Sequence, residues 1–205
     1  MTSITSTYLR RDTIHTMNGE FFDGQQEGER ILFTIEPHPL IHQLALARII
    51  VIFCIFAASL LIVASGSEAT GLVYLLGFLA AAIITAAGVW WNRMYFRDTR
   101  GYVTDRRIIR FERVSPFVMT KRALFWNEAL KAKAYEPNIF FKSFKLGTLT
   151  VEPQAAGGEN VIIKHVYYAE DLANYIDKIL FAFKNNPQDI ALIRPFVPKP
   201  RGQRD

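Results

Sequence analysis

Cysteine occurs once in the 205 residues, as Cys54 inside an apolar run, so neither a disulfide within the chain nor a cysteine-based metal site can form. Histidine is also scarce: His15, His38, His42 and His165 are scattered along the chain. His38 and His42 have the i, i+4 spacing of a helical metal pair, but Pro39 lies between them and no third ligand accompanies them. They read instead as two polar residues at a membrane interface. Catalysis needs convergent groups such as paired carboxylates, a histidine next to a nucleophile or metal ligands; the four histidines are scattered, no recognised catalytic motif appears, and no P-loop lysine follows the paired glycines Gly157-Gly158. The sequence therefore points away from an enzyme and calls for no cofactor.

Acidic residues and lysine are also missing from the middle of two long apolar runs, Leu44 to Ala64 and Gly71 to Trp91. At about 1.5 Å of rise per residue, each run reaches about 31 Å as a helix, the thickness of a bilayer's hydrocarbon core. Too little chain remains to bury both in a soluble core. A cleaved signal peptide does not fit either, because the first run begins some forty residues in. Ser65 to Thr70 joins the runs without Lys or Arg, whereas Arg48 sits just inside the first and Asn92, Arg93, Arg97 and Arg100 follow the second. The positive-inside rule then predicts a multi-pass protein of the inner (cell) membrane with both termini cytoplasmic. Trp90 and Trp91 mark where the second span should end. Gly77, Ala81 and Thr85, with Cys54 and Ala58, offer small-residue surfaces for helix packing.

Charge is divided unevenly. Residues 1–47 carry three arginines against six acids, residues 93–145 thirteen bases against five acids, and residues 146–205 seven of each. The basic excess therefore lies next to the second run, where anionic headgroups contribute about 1 kcal/mol per Lys or Arg. That placement suits membrane lipids or a protein partner and not nucleic acid. The candidate contacts are Arg97, Arg100, Arg106, Arg107, Arg110, Lys121 and Arg122. Setting the topology is the alternative use of the same charge.

Residues 1–43 read as an N-terminal arm, loosely ordered to Glu27, with a short strand at Arg30 to Glu36 whose Ile31, Phe33 and Ile35 share a face. Residues 44–91 form the helical hairpin. After it the pattern becomes β: Thr99 to Val103, a tight turn at Thr104-Asp105-Arg106, Arg107 to Val114, and Phe117 to Trp126 beyond Ser115-Pro116. Further strands are predicted at Lys131 to Glu136, Thr148 to Glu152 and Asn160 to His165, the last two joined by a loop containing Gly157-Gly158. Ala169 to Phe183 reads as an amphipathic helix with Leu172, Ile176 and Ile179 on its core face. Residues 95–185 should thus be an α+β domain with its own core, Ile109, Phe111, Leu149, Val151 and Ile162 included. Residues 186–205 read as a proline-rich basic tail.

Tyr102-Val103-Thr104-Asp105-Arg106-Arg107-Ile108-Ile109 and Phe144-Lys145-Leu146-Gly147-Thr148-Leu149-Thr150-Val151 resemble the first hairpin and a later glycine-led strand of the bacterial pleckstrin-homology-like (PH-like) membrane proteins. Gly28-Glu29-Arg30-Ile31-Leu32 with His38 is similar to the stretch before that family's first span. The likeness covers roughly residues 28–183. It departs at Glu112-Arg113-Val114-Ser115-Pro116, where the family often has a glycine. It implies two packed antiparallel sheets, a sandwich or barrel capped by a C-terminal helix, hung from the membrane hairpin. Phosphoinositide binding is not implied, because Thr104-Asp105-Arg106 is too tight for such a pocket. The expected role is a membrane-anchored binding or scaffolding module that contacts lipid, an unidentified membrane or cytoplasmic protein, or a second copy of the chain. The alternative is an accessory subunit of a larger complex such as a transporter.

Overall fold

The computed structural model describes residues 21–65, 70–137 and 139–198. The expectations for the chain before residue 21, the link at 66–69 and the basic end from 199 onward lie outside the described residues. Strand β1 (Ile31–Ile35) leads into helix α1 (Pro39–Ala64), and helix α2 (Thr70–Asp98) returns. The N-cap of α1 is His38, whose Nδ1 accepts from the Leu40 amide at 3.1 Å; Pro39 occupies the first turn, where its missing N–H costs nothing.

Both helices are long and apolar enough to cross a membrane. Among the described residues almost nothing covers them: Ile50, Val51, Ile55, Ile62, Leu72, Leu75, Phe78 and Ile83 all face outward. Helices apolar on every side suit lipid or a partner around them, and neither is buried inside the chain as a core helix would be. They pack on each other where side chains are small. A Cβ at Gly77 would come within 2.8 Å of the Leu60 methyls, and Ala81 is buried. Cys54 and Ala58, however, face away from the partner helix, where Ile49, Phe53 and Leu60 make the contacts. At the other end Asn92 Nδ2 lies 3.1 Å from His42 Nδ1.

The helix does not stop at Trp91. It runs unbroken to Asp98, closed by the Thr99 amide donating to the Tyr95 carbonyl at 3.0 Å, and strand β2 (Arg100–Thr104) begins two residues later. Strands β3 (Arg107–Ser115) and β4 (Val118–Phe125) complete an antiparallel sheet of order β1-β2-β3-β4. The helical pair is therefore spliced into a β-hairpin: Ile35 pairs with Gly101 and Thr34 with Tyr102 across the insertion.

A second antiparallel sheet contains β5 (Ala129–Tyr135), β6 (Leu146–Pro153) and β7 (Val161–Tyr167), with a short helix α3 (Ile139–Ser143) between β5 and β6. Helix α4 (Ala169–Asn185) packs on β5 and β6 and buries Leu172, Ile176 and Ile179. Its Asp177 accepts the Ala132 amide at 2.9 Å, tying the helix to an edge strand. Gly147 is dictated by crowding, since a Cβ there would stand 2.7 Å from that of Ala169.

Four expectations need correction. Strand β1 does not alternate, because a register shift between Ile31 and Phe33 turns Leu32 as well as Ile35 into the core. On β3 both Ile108 and Ile109 are buried: Ile108 faces the second sheet, while Ile109 and Phe111 belong to a separate outer cluster covered by Phe22. On β7 the core residues are Val161 and Ile163, with Ile162 only partly buried. The segment from residue 186, expected to be a tail, is also packed in its first part. A 3₁₀ turn, Pro187–Leu192, brings Ile190, Ile193 and Phe196 into buried positions, with the Phe196 ring 5.0 Å from that of Phe33.

Candidate functional site

Position along the sheet decides which cations lie near the helical pair. Strand β2 starts where α2 ends, so Arg97 and Arg100 are at its root. The turn at Asp105-Arg106 lies about 15 Å further off at about 3.3 Å per residue. The seven candidate cations therefore split. Arg97, Arg100, Arg110, Lys121 and Arg122 lie on the helical side by register, whereas Arg106 and Arg107 lie at the far end.

Arg107 is not a surface contact. Its side chain is 8% exposed and makes two hydrogen bonds to the fully buried Glu29, Nε to Oε1 at 2.9 Å and Nη2 to Oε2 at 2.8 Å. The guanidinium also lies over the rings of Phe22 and Phe125. Burial alone would raise the Glu29 carboxyl. Arg107, the Gln26 amide and the Thr104 hydroxyl more than reverse that and hold it below its usual value. Two adjacent arginines in a polar-looking turn gave no sign that one was internal; the signal was Glu29, an acid 78 positions away.

The remaining candidates all have partners inside the chain, and Arg110 is itself largely covered, its side chain 14% exposed. Arg110 pairs with Glu112, Arg97 with Asp98 at 2.9 Å, and Arg100 with Glu36 at 3.3 Å. Arg106 donates to the Gln26 side chain at 3.1 Å. Lys121 donates to the Asp23 carbonyl at 2.6 Å and sits over the Phe111 ring. The segment from Phe21 onward, expected to be loose as far as Glu27, thus covers the outer face of the first sheet, with Phe22 stacked on Tyr102 at 4.8 Å between centroids.

Arg100 and Arg110 line a small, more closed hollow at the root with Tyr95, Glu112 and His165, whereas Lys121 and Arg122 line an open groove of about 660 Å³ between β4 and the loop joining β6 to β7. Arg122 spans it to Glu159 at 2.7 Å, with Asn127, Glu128 and Gln154 along its length. The groove follows an edge strand whose residues from Val118 to Ala123 are all exposed.

At the root, the His38 amide donates to the His165 carbonyl at 3.2 Å. His165 has φ of 60°, the left-handed region that L residues seldom adopt. Burial lowers the pKa of both imidazoles, so both stay neutral near pH 7. Because His38 Nδ1 accepts a hydrogen bond, its proton is on Nε2. No group of three or more potential metal ligands occurs among the described residues.

The chain matches no family model, no curated protein and no solved structure.

Proposed function

We propose that this chain is a membrane-anchored binding or scaffolding module: a PH-like domain of two sheets and a capping helix, held at the cytoplasmic face of the inner membrane by a two-span hairpin. The observation that supports this most is the splice. The helical pair leaves from β1 and returns into β2, adjacent strands of one sheet, with no linker between Asp98 and Arg100. A domain rooted by both spans keeps a fixed height above the leaflet. The antiparallel pairing of β1 with β2 also suits termini on one side, and the positive-inside rule applied to Arg93, Arg97 and Arg100 supports a cytoplasmic assignment for that side.

In this reading Arg97 and Arg100 lie over anionic headgroups, and Lys121 and Arg122 present the groove along β4 to a partner protein. On this proposal the chain acts by binding. A second reading, an accessory subunit of a larger membrane assembly such as a transporter, draws on Cys54 and Ala58, which face outward from the hairpin and leave small side chains open to another helix.

The test is thiol labelling of intact cells in a Cys54→Ser background. Ser67→Cys should react from outside, whereas Glu27→Cys and Leu192→Cys should react only after permeabilisation. The reverse pattern overturns the anchored-module reading. Purification in mild detergent then separates the two roles, since a co-purifying multi-pass protein in constant ratio favours the subunit. A soluble one lost on Arg122→Glu favours the module.

A further inference from the structure

The β3–β4 hairpin outruns β2. Arg100, the first residue of β2, pairs with Phe111, and β3 continues four residues further on the side from which α2 arrives. This overhang stays beside α2: Arg113 Nε donates to Asp98 at 2.7 Å, and the same guanidinium closes the turn by donating to the Pro116 carbonyl at 2.7 Å. Two or three residues past Arg113 carry the turn about 7 to 10 Å along the helix. Trp91 lies about 10 Å back from Asp98 along the same helix. The tip therefore reaches the level of the expected aromatic belt, and its residues are apolar. Phe117 is 95% exposed, and Val114, Val118 and Met119 are exposed around it.

The second sheet has a counterpart. Helix α3 follows β5 and buries none of its residues; Ile139 is 86% exposed, and Phe140 and Phe144 are exposed beside it. It is anchored at the same root, because Phe141 stacks on His165, the residue whose carbonyl holds the His38 amide at the start of α1. Lys142 and Lys145 flank the exposed aromatics, a pattern in which cations stay with headgroups while rings enter the interface.

We propose that the β3–β4 tip and α3 are membrane-dipping elements, inserting Phe117 and Ile139 with Phe140 into the interfacial layer on either side of the helical pair. This rests on the reading that α1 and α2 span the bilayer. The occupant is lipid and not a protein, because each apolar cluster flanks the end of a helix that itself needs lipid around it. A soluble protein would have to reach both clusters through the headgroups. The domain would then be clamped flat on the leaflet by three contacts, leaving its far end, with Arg106, in water.

The test uses the full chain with Cys54→Ser, spin-labelled singly at Ser115→Cys, Ser143→Cys, Leu79→Cys or Arg106→Cys. The variants are reconstituted in vesicles of phosphatidylcholine with a minor share of phosphatidylglycerol. Paramagnetic relaxation by oxygen and by a water-soluble nickel chelate reports depth. The labels at positions 115 and 143 should be favoured by oxygen over nickel, less strongly than at 79, with 106 showing the opposite preference. Combining Phe117→Asp with Phe140→Asp should shift 115 and 143 toward the aqueous signature and leave 79 unchanged. If 115 and 143 match 106 while 79 is in lipid, the dipping elements are refuted and the spans stand. If 79 is nickel-accessible as well, the spanning reading fails and takes this inference with it. Shielding of 115 and 143 from both reagents would mean a protein contact, also refuting the proposal.

Discussion

Glu29→Ala should be among the most damaging single substitutions in the two-sheet part of the chain. It strips Arg107 of both carboxylate hydrogen bonds and leaves a guanidinium 8% exposed, walled by Phe22 and Phe125, with its charge uncompensated. The Gln26 amide, 2.8 Å from the carboxylate, loses its acceptor as well, while the Thr104 hydroxyl, also 2.8 Å from it, keeps only the Arg107 carbonyl at 2.9 Å. Breaking a buried ion pair from one side costs about 3 to 5 kcal/mol. For a chain of this size that is a fall of about 6 to 20 °C in melting temperature. Trp126 is a built-in probe, being fully buried with its indole N–H donating to the Thr104 carbonyl at 3.0 Å. Thermal melts of the full chain in detergent, followed by its fluorescence, would measure the loss. Replacing both partners, Glu29→Leu with Arg107→Met, should recover much of it, since an apolar pair needs no desolvation of charge. The pH dependence has a definite sign. With the folded pKa held below the ordinary 4.5, the carboxylate stabilises fully above that value and progressively less as pH falls through the folded value. The gap between the native chain and Glu29→Gln should therefore close in acid. A Glu29→Ala shift below about 2 °C at neutral pH, or a gap that widens in acid, would refute the reasoning.

Leu172→Asp or Ile176→Asp should abolish the cooperative melt, because both side chains are fully buried between α4 and the sheets and an unpaired carboxylate there costs several kcal/mol. An unchanged melting temperature would mean that α4 is not seated on the sheets. A chain cut to residues 95–185 should not melt cooperatively, contrary to what the sequence alone suggests. It lacks β1, Glu29, Ile193 and Phe196, all of which complete its core or its ion pair. A sharp transition in circular dichroism would show that the sheet stands without them.

Local pattern made most elements legible, and partnership made the rest invisible. The strands from Arg100 to Tyr167, the turn at Asp105 and the helix from Ala169 follow from alternation, turn chemistry and a helical stripe, all read within a few residues of themselves. What failed depended on segments distant in the chain. Nothing near Ile109 says that Phe22 covers it, nothing near Arg107 says that Glu29 neutralises it, and Phe196 looks like tail until Phe33 is placed against it. Net charge misled for the same reason. A count of thirteen bases in residues 93–145 suggests one face, but strand register sends Arg106 and Arg107 to the opposite end from Arg97 and Arg100.

The splice ties these observations together energetically. Because β1 reaches the sheet only through α1 and α2, closing the β1–β2 pair in water would require ordering a loop of more than sixty residues. Loop closure grows only logarithmically in cost, but it yields nothing until both ends meet. A helical pair already formed in lipid removes most of that cost, since it returns the chain to within one strand spacing of where it left. In the proposed spanning arrangement the membrane would supply the contact that delivers Glu29 to Arg107, and the domain's stability would become partly a property of the bilayer. Its folding should therefore depend on how well the lipid keeps α1 and α2 side by side, with Gly77 against Leu60 and Asn92 against His42 as the contacts through which that dependence acts.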